Sequence, residues 1–419
     1  MKHRAWLVAT FILVLTAGAV IWSWTARGSL HPPSPVSAAQ PVPDFPPATT
    51  SFGIADALPG ELSDHAFWKM VSEFSEPSGY FQYENFLSNE RTYQDVIPAL
   101  KKSAKPGGVY IGVGPEQNFT YIAAIRPQMA FIIDIRRQNL LELLMYKALF
   151  EMAANRAEFV SLLFSRKRPD DLDDRSTAEA LFQSYGAVES DERLFDENLQ
   201  KIKSWLVKRH GFGLTVDDEK IIDHVYRVFF SLGPGLSYSS VDPAPPGPTY
   251  RELMTAADPA GQNWSYLARE ENFRFVKEMQ RKNAIVPIVG DFAGVKAIRT
   301  LGRYLKDHNA TVSAFYLSNV EMYILPISQW RTYCRNVAAL PVDSSSSFIR
   351  FVVARYSRNV PQASPGFLSS SRPKQATLPA TTTFSTLRSS AIVGAYAVRR
   401  SAEVCPISGA AGPAQARPS

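Results

Sequence analysis

Five short apolar runs recur along the chain: Val109–Val113, Ala130–Ile135, Ile285–Val289, Val312–Leu317 and Phe348–Ala354. Each is dominated by β-branched and aromatic side chains and bounded by Gly, Pro, Asp or Asn, the pattern of strands covered on both faces. Between several of them the period changes to that of a helix. In "VKAIRTLGRYLKDHN", Val295, Ile298, Leu301 and Leu305 fall on one face with charged residues opposite, and Asn309 suits the exit. A strand, a helix and a second strand of the same sheet make a right-handed parallel crossover. The pattern therefore predicts an α/β domain with a doubly wound, Rossmann-like, mostly parallel sheet.

The stretch from about 139 to 282 departs from this alternation. It opens on "NLLE", an Asn139 cap with Glu142 three residues on, and continues as an amphipathic stretch to Phe164. "ESDERLFDENLQKIKSWLVKRHG" and "DDEKIIDHVYRVFFSLG" read as further helices. These predict a large helical insertion between strands two and three. The Pro-rich run Asp242–Tyr250 reads as a loop overhanging the sheet edge.

Composition sets the limits of the domain. The body, residues 53–356, belongs to a chain that is 45% apolar and 12% aromatic, enough to bury a core. Residues 28–52 are rich in Pro, Ser and Ala and read as a linker. Residues 357–419 are a basic, low-complexity tail, expected to be disordered. That tail holds seven Lys and Arg against one acid, Glu403, leaving 38 basic and 38 acidic side chains elsewhere. A balanced body has no electrostatic footprint for a polyanion, so no nucleic-acid partner is expected.

Residues 1–27 change the compartment. Ala5–Trp24 carries no charge for 20 residues after the basic "MKHR", about the length of a membrane-crossing helix. Small residues suited to signal cleavage come only at Val36–Ala39, well past the apolar end, so an uncleaved single-pass anchor is predicted over a removed signal. Lys2 and Arg4 precede the span and place the domain on the non-cytoplasmic side, periplasmic or envelope, or secreted if the segment is cleaved. The membrane is thus an expected partner through this helix. The two cysteines, Cys334 and Cys405, are expected to remain unpaired thiols.

The candidate chemistry lies where the predicted strands end. Gly112 and Gly114 follow the first strand, and Pro115, Glu116, Gln117 and Asn118 open the next helix, whose N–H groups suit an anion or carboxylate. Asp134 stands 20 residues after Gly114, the spacing of an acid that accepts hydrogen bonds from ribose hydroxyls. The competing reading is a tight turn and a solvated acid. Gln117 occupies the place of the third fingerprint glycine, which argues against NAD or FAD. Arg136 and Arg137 suit either a carboxylate or phosphate ligand or a surface ion pair. At the third strand, Gly290, Asp291 and Phe292 offer a second acid, which either faces ligand or caps the helix near Gly294. Ser318, Asn319 and Glu321 follow the fourth strand and suit a substrate side, or loop backbone groups. His210 and His224 have no partner at ligand spacing, so no metal is expected. No hydrolase, zinc or P-loop motif is present and no catalytic residue is assigned.

Two blocks, Gly107–Arg166 and Ile285–Ile324, resemble an uncharacterised bacterial protein family whose core is similar to class I, S-adenosylmethionine-dependent methyltransferases. The resemblance covers about residues 60–355. It implies that Gly112 and Gly114 stand at the glycine motif, that Asp134 binds ribose, and that Asp291 lies near the adenine. It also implies S-adenosylmethionine as cofactor. "YLSN" stands where many such enzymes have Asn or Asp followed by prolines, which are missing here. Two functions are therefore carried forward: a methyltransferase-like domain, and a non-enzymatic, membrane-anchored envelope protein that keeps the fold.

Overall fold

The computed structural model describes residues 57–353, other than 239, 242–246, 325 and 326, together with 394–399. The predicted anchor, the linker and most of the tail lie outside the described residues. Among those described, no helix is long and apolar enough to cross a membrane.

The chain enters through α1 (Asp64–Phe74), α2 (Ile97–Ser103), β1 (Val109–Gly112), α3 (Gln117–Ile125) and β2 (Met129–Asp134). Among the described residues seven α-helices follow before the third strand: α4 (Arg137–Met152), α5 (Arg156–Phe164), α6 (Ala178–Gly186), α7 (Glu192–Ser204), α8 (Val216–Leu232), α9 (Tyr250–Thr255) and α10 (Glu270–Arg281). The chain then returns as β3 (Ile285–Val289), α11 (Ala297–Asp307), β4 (Val312–Ser318), α12 (Ile327–Ala339) and β5 (Ser347–Val353). All five expected strands form, and the helical insertion sits between strands two and three.

The sheet order is β3-β2-β1-β4-β5-β6, with β6 at Gly394–Arg399. The first five strands are parallel and β6 pairs antiparallel with β5. This last strand comes from within the segment whose composition reads as tail. β1 and β2 are buried along their whole length because helices cover both faces, which is why they read as unbroken apolar runs.

Several local expectations are corrected. Asn139 is not a cap: α4 begins at Arg137, whose N–H is met instead by Ser78 Oγ at 3.1 Å. Nor is α4 amphipathic, since every residue from Asn139 to Phe150 is buried, as a helix enclosed on all sides requires. The run to Phe164 also divides, because Asn155 caps a new helix by accepting the Glu158 N–H at 3.0 Å. Val295 is 75% exposed and precedes α11, rather than lying on its packed face. Cys334 is disulfide-bonded, against the expectation of a free thiol; Cys405 lies outside the described residues.

One buried ionic network joins the insertion to α1. His210 bridges Asp64 and Glu151 at 2.7 Å each, and Glu151 also receives Lys147 Nζ and Trp205 Nε1 at 2.7 Å. Burial pushes Glu151 up, but the hydrogen bonds from His210, Lys147 and Trp205 outweigh it and hold the carboxyl at about 2. A depressed folded pKa means that this stabilisation is present above the ordinary value of 4.5 and is lost as pH falls toward 2. We expect stability to drop on the order of 2–3 kcal/mol across that window. Chemical denaturation from pH 6 to pH 2 checks it, and in Glu151→Gln this part of the slope should vanish.

Candidate functional site

The strand order reverses beside β1: the chain leaves it toward β2 on one side, and β4 joins it on the other. Crossovers then depart in opposite directions and leave a crevice at the carboxyl ends of the strands. A cleft of about 420 Å³ opens there. Its floor is made by Val113, Gly114, Pro115 and Gln117 after β1, and by Asp134 and Ile135 at β2. Gly290, Asp291 and Phe292 follow β3, and Tyr316, Ser318 and Asn319 belong to β4 and its exit. The roof comes from the segment Tyr80–Asn89, from Tyr238 of the insertion and from Tyr323.

The glycine turn is held from within. Gly114 has φ +79°, a left-handed conformation that favours glycine. Asn118 spans the turn, its Nδ2 donating to the carbonyls of Val113, Gly114 and Pro115 at 3.0, 3.1 and 2.7 Å. Its Oδ1 accepts the Tyr110 hydroxyl at 2.7 Å. A Cβ on Gly112 would stand 1.9 Å from that Oδ1, so the glycine makes room for the brace. Gly112 and Asn118 thus shape the site without lining it. Gln117 Nε2 donates to Val113 O at 3.1 Å and lies 3.5 Å from the Tyr316 hydroxyl.

Asp134 and Asp291 meet the cleft from neighbouring strands. β2 and β3 pair with Asp134 opposite Val289, and Gly290 N–H donates to Asp134 O at 2.8 Å. β3 therefore lies beside β2 and not beside β1, one strand further from the glycine turn than direct adjacency would place it. Asp134 Oδ1 accepts the Arg136 N–H at 3.0 Å. Asp291 is not the cap of α11. That role falls to Glu76, whose Oε1 accepts from Lys296 and Ala297 N–H at 2.7 and 2.8 Å, leaving Asp291 bonded to its own loop at Ala293 N–H, 2.8 Å.

Three candidates are engaged by other parts of the protein. Arg136 Nε pairs with Asp134 Oδ1 at 3.6 Å from behind the cleft, while its Nη1 donates to Tyr83 O at 2.8 Å and to Glu84 O, tying the roof segment down. Arg137 holds Asp218 at the start of α8 through paired contacts of 2.5 and 2.8 Å. Glu321 accepts Arg350 Nε at 2.6 Å and the Tyr333 hydroxyl at 3.1 Å, so it braces β5 rather than the cleft. Glu116 is fully buried behind the turn.

Two groups escape the sequence reading. Glu90, 2% exposed, accepts the Ser318 hydroxyl at 2.5 Å and the Tyr316 hydroxyl. Burial raises its carboxyl to about 7, with the Ser318 and Tyr316 hydrogen bonds holding it down. Both hydroxyls line the cleft, so a proton can pass between the cleft and an acid that titrates near neutrality. "FLSNERTY" carries no motif that marks Glu90, and Tyr316 reads only as a buried strand residue.

The charge of the cleft is one-sided. Among the described residues lining it, the charged ones are Asp134 and Asp291, with no Lys, Arg or His. Aromatic rings from Tyr80, Phe81, Tyr238, Phe292, Tyr316 and Tyr323 surround them. Phe81 packs edge-on to Tyr323 with centroids 5.1 Å apart, joining roof to β4 exit. Carboxylates and ring faces attract a cation, whereas a phosphate would meet no positive side chain. Among the described residues no group of three or more His, Cys, Asp or Glu is placed to hold a metal ion.

Fold and cleft define a Rossmann-like α/β protein with an acidic, aromatic crevice at its topological switch point. Residues 85–370 match the family described as Domain of unknown function (DUF7790), more than half of the chain, and the protein belongs to that family. No curated protein matches it.

Proposed function

We propose that the cleft binds a sulfonium nucleoside, S-adenosylmethionine, and serves methyl transfer to an acceptor seated at Ser318 and Asn319. The observation that carries this reading is the lining of the crevice, which among the described residues has two carboxylates, six aromatic rings and no cationic side chain. A sulfonium is attracted by such walls, while nucleotide phosphates are not. Asp134 offers carboxylate oxygens to ribose hydroxyls, Asp291 and Phe292 face the base, and the N–H groups opening α3 remain for a carboxylate. Ser318 and Asn319 stand across the cleft, where Glu90 takes up the proton that an acceptor releases. Methyl transfer is an in-line displacement, so alignment in such a crevice supplies much of what the reaction needs.

Calorimetric titration of the purified protein tests this. S-adenosylmethionine should bind saturably with micromolar affinity, ATP should not, and Asp134→Ala should weaken binding about 10- to 100-fold with the fold intact by circular dichroism. Absence of any nucleoside binding would sink the reading. The missing prolines after Asn319 favour, in that event, a non-enzymatic role that keeps the fold.

A further inference from the structure

The wall of the cleft at β4 ends on a strained residue. Ser318 has φ +49°, in the left-handed region that serine seldom adopts, and the pairing of β4 with β5 shifts register between Tyr316 and Ser318. Such irregularities re-aim side chains at the end of a strand. Here two hydroxyls reach one carboxylate: Ser318 Oγ donates to Glu90 Oε1 at 2.5 Å, and Tyr316 donates to Glu90 Oε2. A hydroxyl has a single hydrogen. With both hydrogens directed at Glu90, the two side chains present lone pairs to the cleft that they line. Gln117 Nε2 lies 3.5 Å from the Tyr316 hydroxyl, which leaves Ser318 Oγ to accept from a ligand. Whatever sits against Ser318 must therefore donate.

The rings beside it set the shape. Tyr323 packs edge-on to Phe81 with centroids 5.1 Å apart, and Val320 and Ile324 complete an uncharged end of the cleft. Tyr80 and Tyr323 line it while 84% and 44% exposed. Open ring faces beside an uncharged end suit a flat aromatic ligand. The acid behind Ser318 then selects among proton donors. Burial raises the Glu90 carboxyl to about 7. A phenol ordinarily gives up its proton at about 10, and an alkanol, like water, at roughly 16, so the phenol is the better match to this base. An alkylamine arrives already protonated, with no lone pair to receive a methyl group.

We propose that this end of the cleft recognises a phenol, with its ring among Tyr80, Phe81 and Tyr323 and its hydroxyl donating to Ser318 Oγ. In methyl transfer the phenol oxygen bonds to the methyl carbon as the carbon–sulfur bond breaks, and the bonding pair stays on sulfur. The phenol proton passes to Ser318 Oγ, whose own proton moves to the Glu90 carboxylate. The products are an aryl methyl ether, a neutral thioether and a protonated Glu90. This deepens the reading of the cleft as a sulfonium-nucleoside site, and rests on it for the methyl donor but not for recognition of the phenol itself.

Calorimetry on the full chain tests the proposal with phenol as probe. Anisole is a ring without a donor, cyclohexanol a hydroxyl without a flat ring, and benzylamine a ring bearing a cation. Each is titrated with and without S-adenosylhomocysteine. Phenol should bind saturably and about tenfold more tightly than the other three, and in Ser318→Ala its preference over anisole should shrink to about twofold or less. That ratio is insensitive to a general loss of stability. No saturable binding of phenol, equal or tighter binding of any of the other three, or an undiminished preference in Ser318→Ala would overturn the proposal. Should Ser318→Ala fail to fold, the selectivity of the unmodified protein decides by itself. Selective binding of phenol with no binding of S-adenosylmethionine or S-adenosylhomocysteine would remove the nucleoside reading and leave phenol recognition standing. Nucleoside binding with no selectivity among the four probes would do the reverse.

Discussion

Gly112→Ala should destabilise the protein by about 3–5 kcal/mol, from overpacking and the loss of several hydrogen bonds together. The added Cβ would lie 1.9 Å from Asn118 Oδ1 and 2.8 Å from the Tyr110 hydroxyl, so the Asn118 side chain must leave. Its departure releases the three carbonyls of Val113, Gly114 and Pro115 that it gathers, and strands the Tyr110 hydroxyl. The same turn forms the floor of the cleft, so S-adenosylmethionine affinity should fall with stability. Gly60→Ala is the control: no atom lies within 4 Å of the Cβ it would add, and a change within about 0.5 kcal/mol is expected there. Urea denaturation of both variants provides the comparison. A Gly112→Ala protein as stable as its parent would show that the Asn118 brace is dispensable.

Arg156→Ala should be comparably damaging for a different reason, and should leave ligand affinity alone. Its side chain is 3% exposed and lies 3.2 Å from Glu270 Oε2. Nη1 donates to the carbonyls of Leu267 and Ala268 at 2.9 and 3.2 Å, and Nη2 to those of Asp174 and Ser176 at 3.1 and 2.8 Å. One guanidinium therefore joins the start of α5 to two loops of the insertion. Removing it leaves four carbonyls without their donor and strips a buried carboxylate of its guanidinium, leaving it only the backbone N–H of residue 156 and Arg274, a loss of about 3–5 kcal/mol. Arg156→Lys should recover only part, since an ammonium cannot reproduce the planar fork. None of these groups lines the cleft, so S-adenosylmethionine binding measured under native conditions should be unchanged. A parallel loss of affinity would show that the insertion is coupled to the site.

The two variants separate what local pattern carries from what it does not. Gly112, Gly114 and Asp134 are visible as candidates because a strand, a glycine turn and an acid at the end of the next strand occupy short, ordered intervals. Parallel strands buried on both faces leave apolar runs that need no tertiary knowledge to detect. Arg156 gives no such sign. Its partners lie 18 to 114 residues away in sequence, and an arginine at a helix start looks like any solvated one until the loops close on it.

By itself the sequence determined the five parallel strands, though not β6, together with the insertion between strands two and three and the carboxyl edge on which Gly114, Asp134, Asp291 and Ser318 would meet. These follow from periodicity and from residues with strong conformational preferences, which act over a few neighbours. Only the tertiary structure decided that Glu90 stands behind Tyr316 and Ser318, that Glu76 rather than Asp291 caps α11, and that Glu116 and Glu142 are enclosed in the interior. A carboxylate's identity says nothing about whether water reaches it. That is settled when segments far apart in the chain pack together, and it converts the same residue type from a surface charge into a cap, a proton acceptor or an enclosed, neutral acid.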